Sequence, residues 1–153
     1  MNDPIRPTDE TARSDAHALL AGAAFGAIAV THPDNGHPHV TRIAVLYAHR
    51  RLLSLMSDLS VHTRALQADP RCSLLLGEPG PKGDPLTHPR ITLQCAAEFL
   101  PDKSDRDIWI AAKPKSAPYV DFADFRFVTF DIIGADLNAG FGKAYRLQRQ
   151  DFP

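Results

Sequence analysis

The stretch Leu52–Leu76 reads LLSLMSDLSVHTRALQADPRCSLLL and changes character three times. Leu52–Ser57 is an apolar run of strand length. Ser57, Asp58 and Ser60 are small oxygen-bearing residues of the kind that stop strands and cap helices. Val61–Ala68 supports about two helical turns, with Val61, Ala65 and Ala68 on one face. Asp69-Pro70 ends that helix, because a proline disfavours helical geometry in the residue before it. Cys72–Leu76 is a second buried strand. Three side chains able to hold an anion, His62, Thr63 and Arg64, therefore fall in the first turn of a helix. Unpaired backbone N–H groups and the helix dipole already favour a phosphate there.

Outward from this unit the chain alternates strand signals with turn chemistry. Residues 1–10 carry prolines and no periodic pattern, and read as a flexible arm before a domain over 11–150. Thr8 or Asp9 caps a helix to about Ala21, with Ala12, Ala16, Leu19 and Leu20 as its apolar stripe and Gly22 as its stop. Phe25–Thr31 and Val40–Tyr47 are strands joined through His32-Pro33-Asp34-Asn35-Gly36, a hairpin signal because Asn-Gly readily takes positive φ. Ala48–Arg51 turns the chain into Leu52. Gly77–Pro89 holds four prolines and three glycines and reads as a long loop. Arg90–Phe99 is a long strand. Ser104 or Asp105 caps a helix to about Ala112, with Ile108, Trp109 and Ala112 inward, and Pro114 and Pro118 flank a short helical turn. Phe125–Ile133 alternates as a half-buried strand. Gly134–Asn138 reads as a bend and Ala139–Leu147 as the last strand. Six or seven strands joined by hairpins and a few short helices indicate a mainly β protein, an antiparallel sheet closing on itself, rather than a doubly wound parallel sheet. Gly140-Phe141-Gly142 is not a nucleotide fingerprint, since no helix follows it.

A chain of 153 residues, 44% hydrophobic, has the length and apolar content of one globular domain. The formal net charge of −1 argues against a broad nucleic-acid footprint. Cys72 and Cys95 both sit in apolar strands and read as buried free thiols of a reducing compartment. Asp3, Asp9, Glu10 and Asp15 precede any apolar run, unlike the basic start of a secretory signal. No run approaches the roughly 20 apolar residues of a membrane span. The expected location is cytoplasmic.

Several polar residues admit two readings each. His62-Thr63-Arg64 is an anion site or an exposed helix face. Arg42, among apolar neighbours in VTRIAVLY, is an edge-strand charge or an inward anion ligand. Arg90 opens a strand after the long loop and is solvated or part of a site. His37 and His39 share a strand face, but two histidines without a third ligand are a surface pair rather than a metal site. His88 is exposed or reaches a site from the loop. Asp121, Asp124 and Asp131 show no paired-carboxylate logic. Ser57 and Ser60 lack a base, so no nucleophile is assigned.

Taken together, GAIAV from Gly26, HPDNGHPHV from His32, SDLSVHTRALQADPRCSLLL from Ser57, GDPLTHPRITLQ from Gly83 and GFGKAY from Gly140 resemble the FMN-binding split-barrel proteins, the superfamily of pyridoxamine 5'-phosphate oxidase. Within it the chain is most similar to the haem-utilisation, HugZ-like branch. The resemblance runs from about Ala12 to Leu147. It implies a six-stranded antiparallel split barrel that pairs into a homodimer and binds FMN in grooves at the interface. It also implies the ligands. Arg42 begins the strand along the flavin. Ile43, Ala44 and Val45 offer backbone to the ring. Ser57 follows the next strand, His62, Thr63 and Arg64 match the phosphate cluster, and Arg90 is a polar contact from the adjacent strand. The implied activity is FMN-dependent redox chemistry on a small molecule, with no catalytic residue assigned. A haem-binding protein on the same scaffold and a non-catalytic flavin-binding module are the alternatives. The chain lacks the C-terminal arginine-and-histidine signature that holds pyridoxal phosphate in the true oxidase. It has no histidine after His88 to match the haem ligand of longer haem-utilisation proteins. Two expectations follow from the residues. Alternation leaves some of Phe125, Phe127, Val128 and Phe130 outward for an obligate partner, burying more than about 2,000 Å². The 77–89 loop lies at a site mouth and supplies His88.

Overall fold

The structure, a computed structural model, describes residues 4–153. Nine strands and three helices follow in order: β1 Ile5–Arg6, α1 Glu10–Gly22, β2 Phe25–Thr31, β3 Pro38–Ala44, β4 Leu46–Ala48, β5 Arg51–Ser57, α2 Val61–Ala68, β6 Arg71–Leu76, β7 Arg90–Phe99, α3 Arg106–Ala112, β8 Phe125–Asn138 and β9 Ala144–Gln148. One-turn 3-10 helices lie at Pro85–Thr87, Pro114–Ser116 and Arg149–Asp151. No helix among the described residues is long and apolar enough to cross a membrane.

The expected mainly β, antiparallel architecture is present. Ladders run β3–β2–β6–β7–β8–β5–β4, all antiparallel, and the chain returns from β3 to β4 through Val45. Counting β3 and β4 as one interrupted strand gives six staves. The sheet itself is not closed, because among the described residues no ladder joins β3 to β5. That gap is the split of a split barrel. β9 and β1 extend the sheet beyond β8, and β1 runs parallel to β9, pairing Ile5 with Ala144. Part of the expected N-terminal arm is thus tied to the sheet, and Thr8 Oγ1 donates to Arg146 O at 2.9 Å.

β5 explains the unbroken apolar run in the sequence, because both of its faces are covered. Leu52 and Met56 join the main core with Ile28, Leu74, Leu93, Val128 and the α1 residues Ala12, Ala16 and Leu20. Leu53 and Leu55 face a second cluster with Trp109 of α3, Val120 and Phe127. The Trp109 and Phe127 rings meet edge to face at 5.8 Å, a geometry that adds about 0.5–1.5 kcal/mol beyond area burial.

Four expectations need correction. Gly134–Asn138 is no bend but the second half of β8. The glycine marks a register shift opposite Gln94 and Cys95, where one extra residue bulges without ending the strand. The last strand starts at Ala144, because Ala139–Lys143 is a tight turn with Gly140 at φ 126° and Gly142 at φ 68°. The inward face of α2 is Thr63, Ala65 and Leu66, and Ala68 is exposed. Of the four residues expected to leave some for a partner, Phe127, Val128 and Phe130 are buried within the chain, at 0%, 0% and 4% exposure, and only Phe125 is partly exposed.

Candidate functional site

The split is built by hydrogen-bond parity. Val45 N–H donates to Ala24 O at 3.1 Å and His32 N–H to His37 O at 2.8 Å. Antiparallel ladders alternate bonded and non-bonded pairs. In the observed register Thr41 and Ile43 therefore bond to Ile28 and Gly26, while the backbone groups of Val40, Arg42 and Ala44 turn away from β2. They face the side where β5 would pair, yet the ladder on that edge of β5 stops with β4 at Leu53. Ser54, fully buried, donates its hydroxyl to Ala44 O at 2.7 Å and closes the apex. Beyond that bridge the outward groups of Arg42 and Val40 form an open strand edge. Of Ile43, Ala44 and Val45, Ala44 turns its backbone away from β2, and its carbonyl accepts from Ser54. Ile43 and Val45 turn theirs to β2 and bury their side chains.

The other lip carries Ser57 and the start of α2. Ser57 Oγ donates to Asp124 Oδ2 at 2.6 Å and accepts from Leu59 N–H at 3.2 Å, so this hydroxyl shapes the turn. Ser60 occupies the N-cap but makes no side-chain cap bond. The first helical bond runs from Arg64 N–H to Ser60 O at 3.2 Å, which leaves the N–H groups of Val61, His62 and Thr63 without an intrahelical acceptor. Thr63 Oγ1 is buried with no partner. Burial, and then His39, hold the His62 imidazole below the ordinary histidine range. His39 in turn meets His32 edge-on at 5.8 Å between ring centroids. The first turn of α2 and the start of β3 thus face one another at the open end of the split. His39 contacts His32 across the hairpin, and His37 is exposed, as a surface histidine is.

Most arginines of the chain are spent on carboxylates, among them Arg13, Arg51, Arg106 and Arg126. Arg42 and Arg64 form no ion pair among the described residues, and both are exposed. The Arg42 guanidinium lies over the Phe25 ring at 5.4 Å. With Phe25, Leu75 and Gly77–Pro79 it lines a cavity of about 180 Å³. Arg90 is turned elsewhere, donating to Leu86 O at 2.8 Å. His88, expected to reach into a site, is held by both ring nitrogens inside its own loop. Ser54 was not among the expected residues, although a lone hydroxyl inside LLSLMS was the signal for it. Among the described residues no group of three or more His, Cys, Asp or Glu side chains is placed to hold a metal.

The outer face of the sheet leaves large apolar side chains uncovered: Phe25 at 40%, Val40 at 65%, Leu75 at 44% and Ile133 at 45% exposure. The ladders link the first three through Ala27 and Ala29 of β2, which pair with Arg42 and Val40 on one side and Leu75 and Ser73 on the other.

The sequence profile of pyridoxamine 5'-phosphate oxidase matches residues 13–132. The chain belongs to that family. It is 40% identical over 81 residues to "Non-canonical heme oxygenase HOZ, chloroplastic" of Arabidopsis thaliana, covering 50% of this chain and 23% of that protein. The chain therefore spans about a quarter of the length of this curated relative. A solved chain 38% identical to it superposes with a TM-score of 0.89, covering 96% of this chain and 98% of its own. The heme binding protein from Mycobacterium smegmatis has the same fold, with a TM-score of 0.84 at 23% identity over 97% of this chain and 61% of that one.

Proposed function

We propose that this member of the family is a homodimeric flavoprotein that holds FMN non-covalently along the split and uses it for redox chemistry on a small molecule. The observation that carries the reading is the uncapped first turn of α2. It combines three free N–H groups, the orphaned Thr63 hydroxyl and the unpaired Arg64 guanidinium. Such a terminus fits a phosphate, and a guanidinium adds a bidentate charge-assisted contact. His62 and Thr63 sit in the same turn. Ser57 sets the turn that precedes it. Arg42 and Ala44 present the backbone edge of β3, with Ile43 and Val45 anchoring that edge in the core. Arg90 steadies the neighbouring loop through Leu86 O. When bound, FMN supplies hydride or electron transfer, and the protein supplies binding and orientation. The uncovered face around Phe25, Val40 and Leu75 is the surface a second copy of the chain would bury.

A second reading is haem in the same split. It is favoured by the relatives, a heme oxygenase and a heme binding protein, and by the three histidines His32, His39 and His62 at the open end. The absorbance spectrum of the purified protein separates the two. Flavin bands with no Soret band support the first reading. A Soret band, or a colourless protein that takes up no FMN on titration, overturns it.

A further inference from the structure

The 77–89 loop is gathered around one imidazole. His88 Nδ1 accepts from Gly80 N–H at 2.7 Å, and His88 Nε2 lies 2.9 Å from Lys82 O. A carbonyl only accepts and a backbone N–H only donates, so the ring is in its neutral form with the proton on Nε2. Gly80 passes close beneath the ring, where a Cβ would stand 3.1 Å from His88 Cε1. The second half of the loop has other ties. Asp84 accepts from Leu86 N–H at 2.9 Å, Thr87 Oγ1 donates to Asp84 O at 2.7 Å, and Arg90 donates to Leu86 O at 2.8 Å. The first half has none of these: residues 79–83 are reached by no hydrogen bond besides the two from His88 among those of the described residues. All five are exposed, and none is a large apolar residue that packs on the core.

We propose that His88 is a proton-released clasp. With the ring protonated, the loop from Glu78 to Gly83 detaches, and the wall that Gly77–Pro79 build beside Arg42 goes with it. A second ring proton has one place to go, Nδ1. It turns the acceptor of the Gly80 bond into a donor that faces another donor at 2.7 Å. Nothing else in the first half of the loop holds it against that repulsion. The charged groups of the loop itself are Glu78, Lys82 and Asp84, and Arg90 opens β7 beside it. Arg42 lies across the cavity, and Lys143 belongs to the turn that approaches Thr87 at Gly140. Lys82 and Arg90 add positive charge, while the Asp84 carboxylate is engaged by Leu86 N–H. Acidification, which supplies the second ring proton, is the trigger. A consequence for FMN rests on the function proposed above; the release itself does not.

Amide hydrogen exchange of the full chain, read by mass spectrometry at pH 8 and pH 5 without ligand and corrected for intrinsic rates, tests the clasp. Protection of Gly80 N–H, the one amide the clasp holds, is expected to fall about tenfold or more at pH 5, while peptides of β5 and β7 stay protected. His88→Phe keeps a ring without nitrogens and is expected to leave the loop unprotected at both pH values. His88→Gln, which does not titrate, is expected to abolish the pH dependence and serves if the first variant fails to fold. Equal protection of the wild-type loop at both pH values, or a pH-dependent loop in His88→Gln, overturns the proposal. A chain that shows the release but binds no flavin refutes the flavin reading and leaves the clasp standing.

Discussion

Ser54→Ala removes one oxygen from the apex of the split. The hydroxyl is fully buried and donates at 2.7 Å to Ala44 O, a carbonyl turned away from β2. Serine and alanine differ little in volume, so the change opens no cavity, and its cost is that of a buried carbonyl left without a donor. Such a group costs about 1–3 kcal/mol. For a domain of this size each kcal/mol lowers Tm by about 2–4 °C, so a fall of about 2–12 °C is expected in a thermal melt followed by circular dichroism. Thr129→Val is the matched control. Its hydroxyl lies 3.4 Å from Leu52 O on the neighbouring strand, near the limit of a hydrogen bond, and its loss should be the smaller. If Ser54→Ala melts within about 1 °C of wild type, or no lower than Thr129→Val, the bridge does not hold the seam.

His62 titrates below an ordinary histidine because of burial and then His39. The unfolded chain therefore takes up its proton first, and stability is lost as the pH falls from about 6.5, the unfolded value, through the folded one. Acid melts of His62→Gln should fall off less steeply between pH 7 and 5 than those of wild type, and identical slopes would count against the burial. Cys72 and Cys95 are free and buried. Burial pushes the Cys72 thiol from 9.0 up to about 12, which lowers its thiolate fraction at pH 8 about a thousandfold. Ellman's reagent should leave both thiols unreacted in the native protein and modify both in denaturant; rapid native labelling contradicts this packing. Val40→Glu with Leu75→Glu should turn a dimer into a monomer in sedimentation, since both side chains are exposed in the single chain. A wild-type monomer at micromolar concentration removes the dimer from the account.

The fold was legible where local chemistry and tertiary demand agree. Asn35-Gly36 in the hairpin, Asp69-Pro70 after α2 and the alternating start of Phe125–Ile133 each carry their own signal. Where the structure departs from the local sequence signal, a long-range contact decides. Gly134 has the composition of a turn, but pairing with β7 on one side and β9 on the other keeps the chain extended through it. His49 and Arg50 take φ 50° and 62° in the β4–β5 turn, a conformation that neither residue type advertises. Arg50 is fixed there by donating to Pro153 O at 2.8 Å, a contact spanning two-thirds of the chain. The candidate site divides the same way. The α2 first turn follows from its local sequence. The open edge of β3 follows from which strands pair, and Ser54 acquires its role from Ala44 across the seam. His88 could not be placed from sequence, because its partners Gly80 and Lys82 sit in a loop without periodicity.

The central claim is that the start of α2 binds the phosphate of a flavin, and paired titrations with FMN and riboflavin test it most directly. Flavin fluorescence is followed in wild type, Arg64→Ala and Arg64→Lys. A hydrogen bond to a charged group contributes about 1.5–3 kcal/mol, so Arg64→Ala should weaken FMN about tenfold to a hundredfold. Riboflavin, which has no phosphate, should bind both proteins alike. Arg64→Lys should recover part of the loss, because an ammonium keeps the charge but not the planar fork. Equal weakening of FMN and riboflavin by Arg64→Ala, or no change in either, contradicts a phosphate at this helix.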